Sequence, residues 1–212
     1  MYNYNQAQKY ELDWQEAYIK SALKPEFDRW MKSKIDNPLA SWFPDPKEFL
    51  KHTKGKTGLD VGCGSIPMLR YPCGLGDRFV LDPLADDYKR IQTSVWGGSF
   101  FDGLFVISKP AEEFLTIKVD GVIIFRNALD HADDPLRILY NLSQYALPGC
   151  YLLFWTDLWH NDEPDPGHKN ITRCTEMMDI ILVALGWEFQ HTIPAQRDTN
   201  VSLEYGGVWR KL

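Results

Sequence analysis

The sequence predicts an α/β fold: a mostly parallel sheet with helices on both faces. Three observations carry that expectation. From residue 57 onward, short apolar runs alternate with longer amphipathic stretches, which is the pattern of successive βα units. The first run, Leu59-Asp60-Val61, passes directly into Gly62-Cys63-Gly64-Ser65, a tight turn that suits a strand ending at a ligand edge. The last helical stretch stops at Gly186 and is followed by two strand-like pieces.

Taken in order, residues 1–50 read as an N-terminal helical extension, distinct from a domain over 51–212. Leu12, Trp14, Ala17, Tyr18 and Ala22 mark one apolar helix face, and Phe27, Trp30, Met31 and Ile35 a second after a break at Pro25. Asn37-Pro38 and Phe43-Pro44 close the region, and a new helix starts with Asp45 as cap, Pro46 in the first turn and Glu48 placed for a capping box. Strands are expected at 58–61, 79–81, 103–107, 119–125 and 151–155, with helices at 84–93, 112–116 and 135–147. Asp134 and Pro135 open the last of these. A helix at 172–185 precedes the strand-like pieces 187–193 and 202–210.

Composition narrows the function. The 212 residues carry Lys+Arg 23 against Asp+Glu 29, a net charge of −6, which argues against a broad nucleic-acid-binding face. No run approaches the ~18 apolar residues needed to span a bilayer. The polar N-terminus lacks a signal-peptide pattern. Cys63, Cys73, Cys150 and Cys174 are scattered without ligand spacing, so a reduced, cytoplasmic protein is expected. The chain is 14% aromatic with eight Trp, and many of these rings fall within residues 1–50. They read either as a cap over a binding edge or as packing for N-terminal helices.

At the predicted ligand edge, Asp60 lies two residues before Gly62. A carboxylate there repels a pyrophosphate and suits an ammonium or sulfonium; otherwise it caps the turn. Asp82, in Val80-Leu81-Asp82-Pro83, follows Gly64 at the spacing of a carboxylate that accepts from both ribose hydroxyls; otherwise it is a turn residue.

Leu59–Ser65, Val80–Ala85, Pro110–Phe114 and Asp120–Pro135 together resemble a class I S-adenosylmethionine-dependent methyltransferase. The similarity is to the small-molecule, methyltransferase type 11-like branch, where the fourth-strand segment reads like Asn127-Ala128-Leu129-Asp130-His131. The resemblance covers about 57–193. It implies a Rossmann-like seven-stranded sheet with an antiparallel last strand, and S-adenosyl-L-methionine as cofactor with S-adenosyl-L-homocysteine as product. It also implies Gly62 and Gly64 against the methionine part, Asp82 on the ribose and Glu112 near the adenine. Asp60, Cys63, Pro83, Ala111 and Asn127 complete the implied cofactor set. The chain departs from the family pattern at Ile66-Pro67, where a third glycine is common, and at Pro110, where many members are acidic. The helix after the first strand is expected to be short, because prolines and glycines interrupt 66–76.

Methyl transfer from a sulfonium is an in-line displacement, so the protein aligns the partners, excludes water and removes a proton where the acceptor needs it. His131 reads as that base or as a histidine bonded to a loop carbonyl, and Asn127 as a group orienting acceptor or cofactor. After the fifth strand, 157–168 reads as a long polar loop. There His160 is a second candidate base, and Trp155 and Trp159 are candidate pocket walls. His160, His168, Asp157, Glu163 and Asp165 match no strong metal-ligand spacing, so no metal is expected. The expected acceptor is a small molecule, methylated on oxygen or nitrogen. A nicotinamide-dependent oxidoreductase and a non-catalytic cofactor-binding protein are the alternatives.

Overall fold

The computed structural model describes residues 4–21, 46–70, 74–160, 168, 170–172, 174–193 and 201–212. Seven strands form one sheet: β1 Gly58–Val61, β2 Arg78–Leu81, β3 Phe105–Ile107, β4 Val122–Arg126, β5 Tyr151–His160, β6 Trp187–Thr192 and β7 Val201–Lys211. Among the described residues the helices are α1 Tyr4–Ser21, α2 Pro46–Thr53, α3 Ala85–Trp96, α4 Pro135–Tyr145 and α5 Thr175–Ala184. Across the sheet the order is β3-β2-β1-β4-β5-β7-β6, and β7 alone runs against its neighbours β5 and β6. This is the mostly parallel sheet with an antiparallel last strand that the sequence predicts.

Alternation along the strands divides the core. Leu59, Val61, Ile123, Phe125, Leu152 and Phe154 pack on one face with Ile138, Leu142 and Leu182 from α4 and α5. Val122, Ile124, Leu153 and Val208 pack on the other with Phe49 of α2 and Phe100. Each such side chain, fully buried, contributes roughly 1.5–3 kcal/mol. The chain builds outward from β1 to β3, then returns to build β4 and β5 on the opposite side. The crevice between the carboxyl ends of β1 and β4 is therefore the switch point where such sheets bind ligands.

Several boundaries differ from expectation. The predicted helix at 112–116 is a turn followed by irregular chain. Side chains of α4 satisfy its backbone instead: Asn141 Nδ2 donates to the carbonyls of Ala111 and Glu112, and the Tyr145 hydroxyl donates to Glu113 O and accepts from Leu115 N. Among the described residues of the segment after β1, the helical structure is the 3-10 turn Met68–Arg70, as its prolines foretell, and Arg78 Nη1 holds the Leu69 and Arg70 carbonyls. β5 continues to His160, paired with β7 through a bulge, so 157–160 is strand rather than loop. Asp134 caps α4, accepting from Arg137 N with Pro135 in the first turn. In α1 the expected apolar face packs only in part: Leu12 and Tyr18 lie against the core, whereas Trp14 and Ala17 are exposed. Trp14 is 54% exposed, while Ala7 and Ile19 are buried and α1 lies on α3. Asp45 and the expected second N-terminal face at 27–35 lie outside the described residues. Among the described residues no helix is long and apolar enough to cross a membrane.

Candidate functional site

A cleft of about 500 Å³ opens at the switch point, within the size range of small-molecule and cofactor sites. Its floor is the turn after β1. Gly62 and Gly64 have φ of 62° and 59°, values that favour glycine. Gly62 N donates to Leu81 O, holding the turn against β2. A Cβ on Gly62 would come 2.3 Å from the Ala128 Cβ, so the turn is packed directly on the segment after β4. A polar chain holds the rest. Ser65 Oγ donates to Gln15 of α1, and Gln92 of α3 donates to Ser65 O while accepting from Ser99 Oγ and Phe100 N.

Two buried carboxylates flank this turn. Asp60 Oδ2 accepts from the backbone N–H groups of Met68 and Leu69, so the capping reading holds for that oxygen. Burial raises the Asp60 pKa to about 7; Met68 N–H, Leu69 N–H and Arg126 oppose that rise, and Asp82 adds to it. Asp82 accepts from Gly64 N through Oδ2 and from Leu84 N through Oδ1, each at 2.9 Å. Burial raises it to about 6 against these two donors, and Glu11 raises it further. Both carboxylates line the cleft. They brace the turn through these backbone donors and place two carboxylates at the cleft, with the Arg126 guanidinium acting on Asp60.

The other predicted cofactor residues converge on the same cleft: Cys63, Pro83, Ala111, Glu112 and Asn127 all line it. Burial pushes the Cys63 thiol well above its ordinary range, which leaves it a neutral wall rather than a nucleophile. Glu112 Oε1 accepts from Asp133 N at 2.9 Å and from Asp134 N at 3.3 Å. It thereby ties the turn after β3 to the entry of α4.

At the end of β4, Asn127 has φ 48°, an uncommon conformation that Asn tolerates better than most residues. Its N–H donates to Trp155 O at 2.7 Å. Beside it Arg126 also lines the cleft, 5.7 Å from the Trp155 ring centroid; burial lowers its pKa and Asp60 opposes that. The 3-10 turn Leu129–His131 then places His131 in the cleft wall and Asp130 beneath it. His168 joins the same wall, its ring centroid 4.2 Å from that of His131.

Of the predicted walls, Trp155 is buried and lines the cleft, whereas Trp159 does not line it. The side chain of His160, together with Glu163 and Asp165, lies outside the described residues. Sequence reasoning singled out only the aromatic residues of this region and missed the polar ones of α1: Gln8, Glu11 and Gln15 line the mouth together with Tyr10 and Trp14. Gln15 Nε2 donates to Glu11 Oε1. Polar residues at 8, 11 and 15 share one helix face, a signal that the aromatic residues around them obscured.

Comparison with known proteins adds the fold's relatives. No family profile and no curated protein matches the sequence. Among solved structures, the chain is similar to a SAM-dependent methyltransferase from Aquifex aeolicus at 19% identity and TM-score 0.52, covering 85% of this chain and 98% of that one. The N-methyltransferase NodS from Bradyrhizobium japonicum, solved with S-adenosyl-L-homocysteine, gives 16% identity and TM-score 0.57 over 84% and 97%. A SAM-dependent methyltransferase from Methanosarcina mazei gives 15% identity and TM-score 0.56 over 80% and 98%. The chain has the Rossmann-like α/β fold of these enzymes.

Proposed function

We propose that this chain transfers a methyl group from S-adenosyl-L-methionine to an oxygen or nitrogen of a small acceptor, in the cytoplasm. The observation that carries this reading is the pair of buried carboxylates, Asp60 and Asp82, that line the cleft on either side of the Gly62–Gly64 turn. A cleft of that charge favours a cationic ligand and disfavours the pyrophosphate of a nicotinamide dinucleotide. The same proteins of like fold lend the reading its prior.

The residues then divide the work. Asp60, Gly62, Cys63 and Gly64 face the amino-acid part of the cofactor, Asp82 with Pro83 the ribose, and Ala111 with Glu112 the adenine. When bound, the cofactor supplies a methyl group on a sulfonium. Asn127 orients acceptor or cofactor, and His131 and His160 are the groups for an acceptor proton. Tyr10 and Trp14, exposed at the cleft mouth, make α1 a cover for the acceptor side.

Asp82→Ala tests the cofactor assignment. S-adenosyl-L-homocysteine should bind ~1–3 kcal/mol more weakly, the cost of losing charged hydrogen bonds, with the unfolding midpoint recorded alongside. Unchanged affinity in a folded variant refutes the ribose contact.

A further inference from the structure

His131 and His168 meet in the cleft wall with Asp130 buried beneath them, although they arise from two segments, the turn after β4 and the chain beyond β5. Each offers one ligand atom, and these atoms all lie within 4.8 Å of one another. Asp130 Oδ1 stands 4.0 Å from His131 Nε2, and Asp130 Oδ2 stands 3.9 Å from His168 Nε2. These gaps exceed the ~2.7–3.2 Å of a hydrogen bond. They match the spacing of donors around one ion, because ligands ~2.0–2.2 Å from a metal stand roughly 3–4 Å apart. The Asp130 side chain is fully buried, and the two imidazoles are 20% and 25% exposed.

We infer that Asp130, His131 and His168 bind a divalent transition-metal ion whose open coordination positions face the cleft. The donor set decides the class of ion. Two imidazole nitrogens with one carboxylate suit Zn²⁺, Co²⁺ or Fe²⁺, whereas Mg²⁺ and Ca²⁺ prefer oxygen alone. Three protein ligands are also the number that leaves room for water or substrate. The site stands without the methyl-transfer reading; its consequence for the acceptor rests on that reading. An acceptor that offers a hydroxyl or carboxylate oxygen would take the open position, and the ion would ease loss of a hydroxyl proton. His131 then positions the ion instead of taking the proton.

The test uses Co²⁺ added to the metal-stripped full chain, read by visible absorption, with S-adenosyl-L-homocysteine affinity measured in parallel. One equivalent of Co²⁺ should develop a saturable band. Asp130→Asn and His168→Gln should each weaken that binding at least about tenfold and leave S-adenosyl-L-homocysteine affinity within a few-fold. His168→Gln keeps the test sound if Asp130→Asn unfolds, since His168 is partly exposed. No saturable band in the wild type, or a band of undiminished affinity in His168→Gln, overturns the site. Co²⁺ binding without S-adenosyl-L-homocysteine binding sustains the site and overturns the methyl-transfer reading. The reverse result overturns the site alone.

Discussion

Gly62→Ala is expected to destabilise the chain by ~2–5 kcal/mol and to weaken S-adenosyl-L-homocysteine binding more than tenfold. Two costs combine. At φ 62° an L side chain pays the left-handed penalty of ~1–2 kcal/mol. The new methyl would also lie 2.3 Å from the Ala128 Cβ, and relieving such overpacking typically costs ~1–3 kcal/mol. Relief must move either the glycine turn or the segment that carries Asn127 and His131, so binding falls with stability. Gly97→Ala is the control, because Gly97 has φ 71° but a Cβ there meets nothing within 4 Å. Urea unfolding of the two variants separates the terms. If Gly62→Ala costs no more than Gly97→Ala, the close packing of the turn is refuted.

The second large effect is on pH. Asp60 and Asp82 are raised to about 7 and about 6 from an ordinary 3.8, chiefly because burial penalises the charged form. For an acid raised on folding, the native state binds more protons than the unfolded chain above the unfolded pKa. The contribution to stability is therefore fully present below pH ~4 and is lost progressively as pH rises from there, the loss ending as pH passes the folded values of about 6 and about 7. Without cofactor, the chain should lose stability over that window at up to about 1.4 kcal/mol per pH unit for each proton. Asp60→Asn removes one of the two titrations and should flatten the fall. A cationic cofactor favours the ionised carboxylates, so its affinity should rise from pH 5.5 to 7.5 with release of protons. Unfolding midpoints across pH, for wild type and Asp60→Asn, check the first part; calorimetry in two buffers of different ionisation enthalpy checks the second. Parallel pH profiles for the two proteins would contradict the assignment to Asp60.

How legible each feature was in the sequence depended on how local its cause is. The strands β1, β4 and β5 are short apolar runs bounded by polar or glycine residues, and Asp134-Pro135 marks the start of α4. Those signals act over a few residues and survive folding. The expected helix at 112–116 fails because Asn141 and Tyr145, distant in sequence, supply its backbone with partners. β5 outruns its apolar core because β7 pairs with it as far as His160. In the site, the Gly62–Gly64 turn and the place of Asp82 at the cleft edge were readable from spacing. The polar face of α1 was not, since Trp14 and Ala17 suggested a different buried side. The meeting of His168 with His131 is a product of the β4–β5 pairing that brings their following segments together, and no spacing in the sequence encodes it.

The central claim is that the cleft between β1 and β4 accepts S-adenosyl-L-methionine. Isothermal titration of the full chain with S-adenosyl-L-methionine, S-adenosyl-L-homocysteine and NAD tests it most directly. The account predicts saturable binding of the first two at one site per chain and none of NAD. Preference for NAD, or no binding of either sulfur compound by the folded chain, would contradict it.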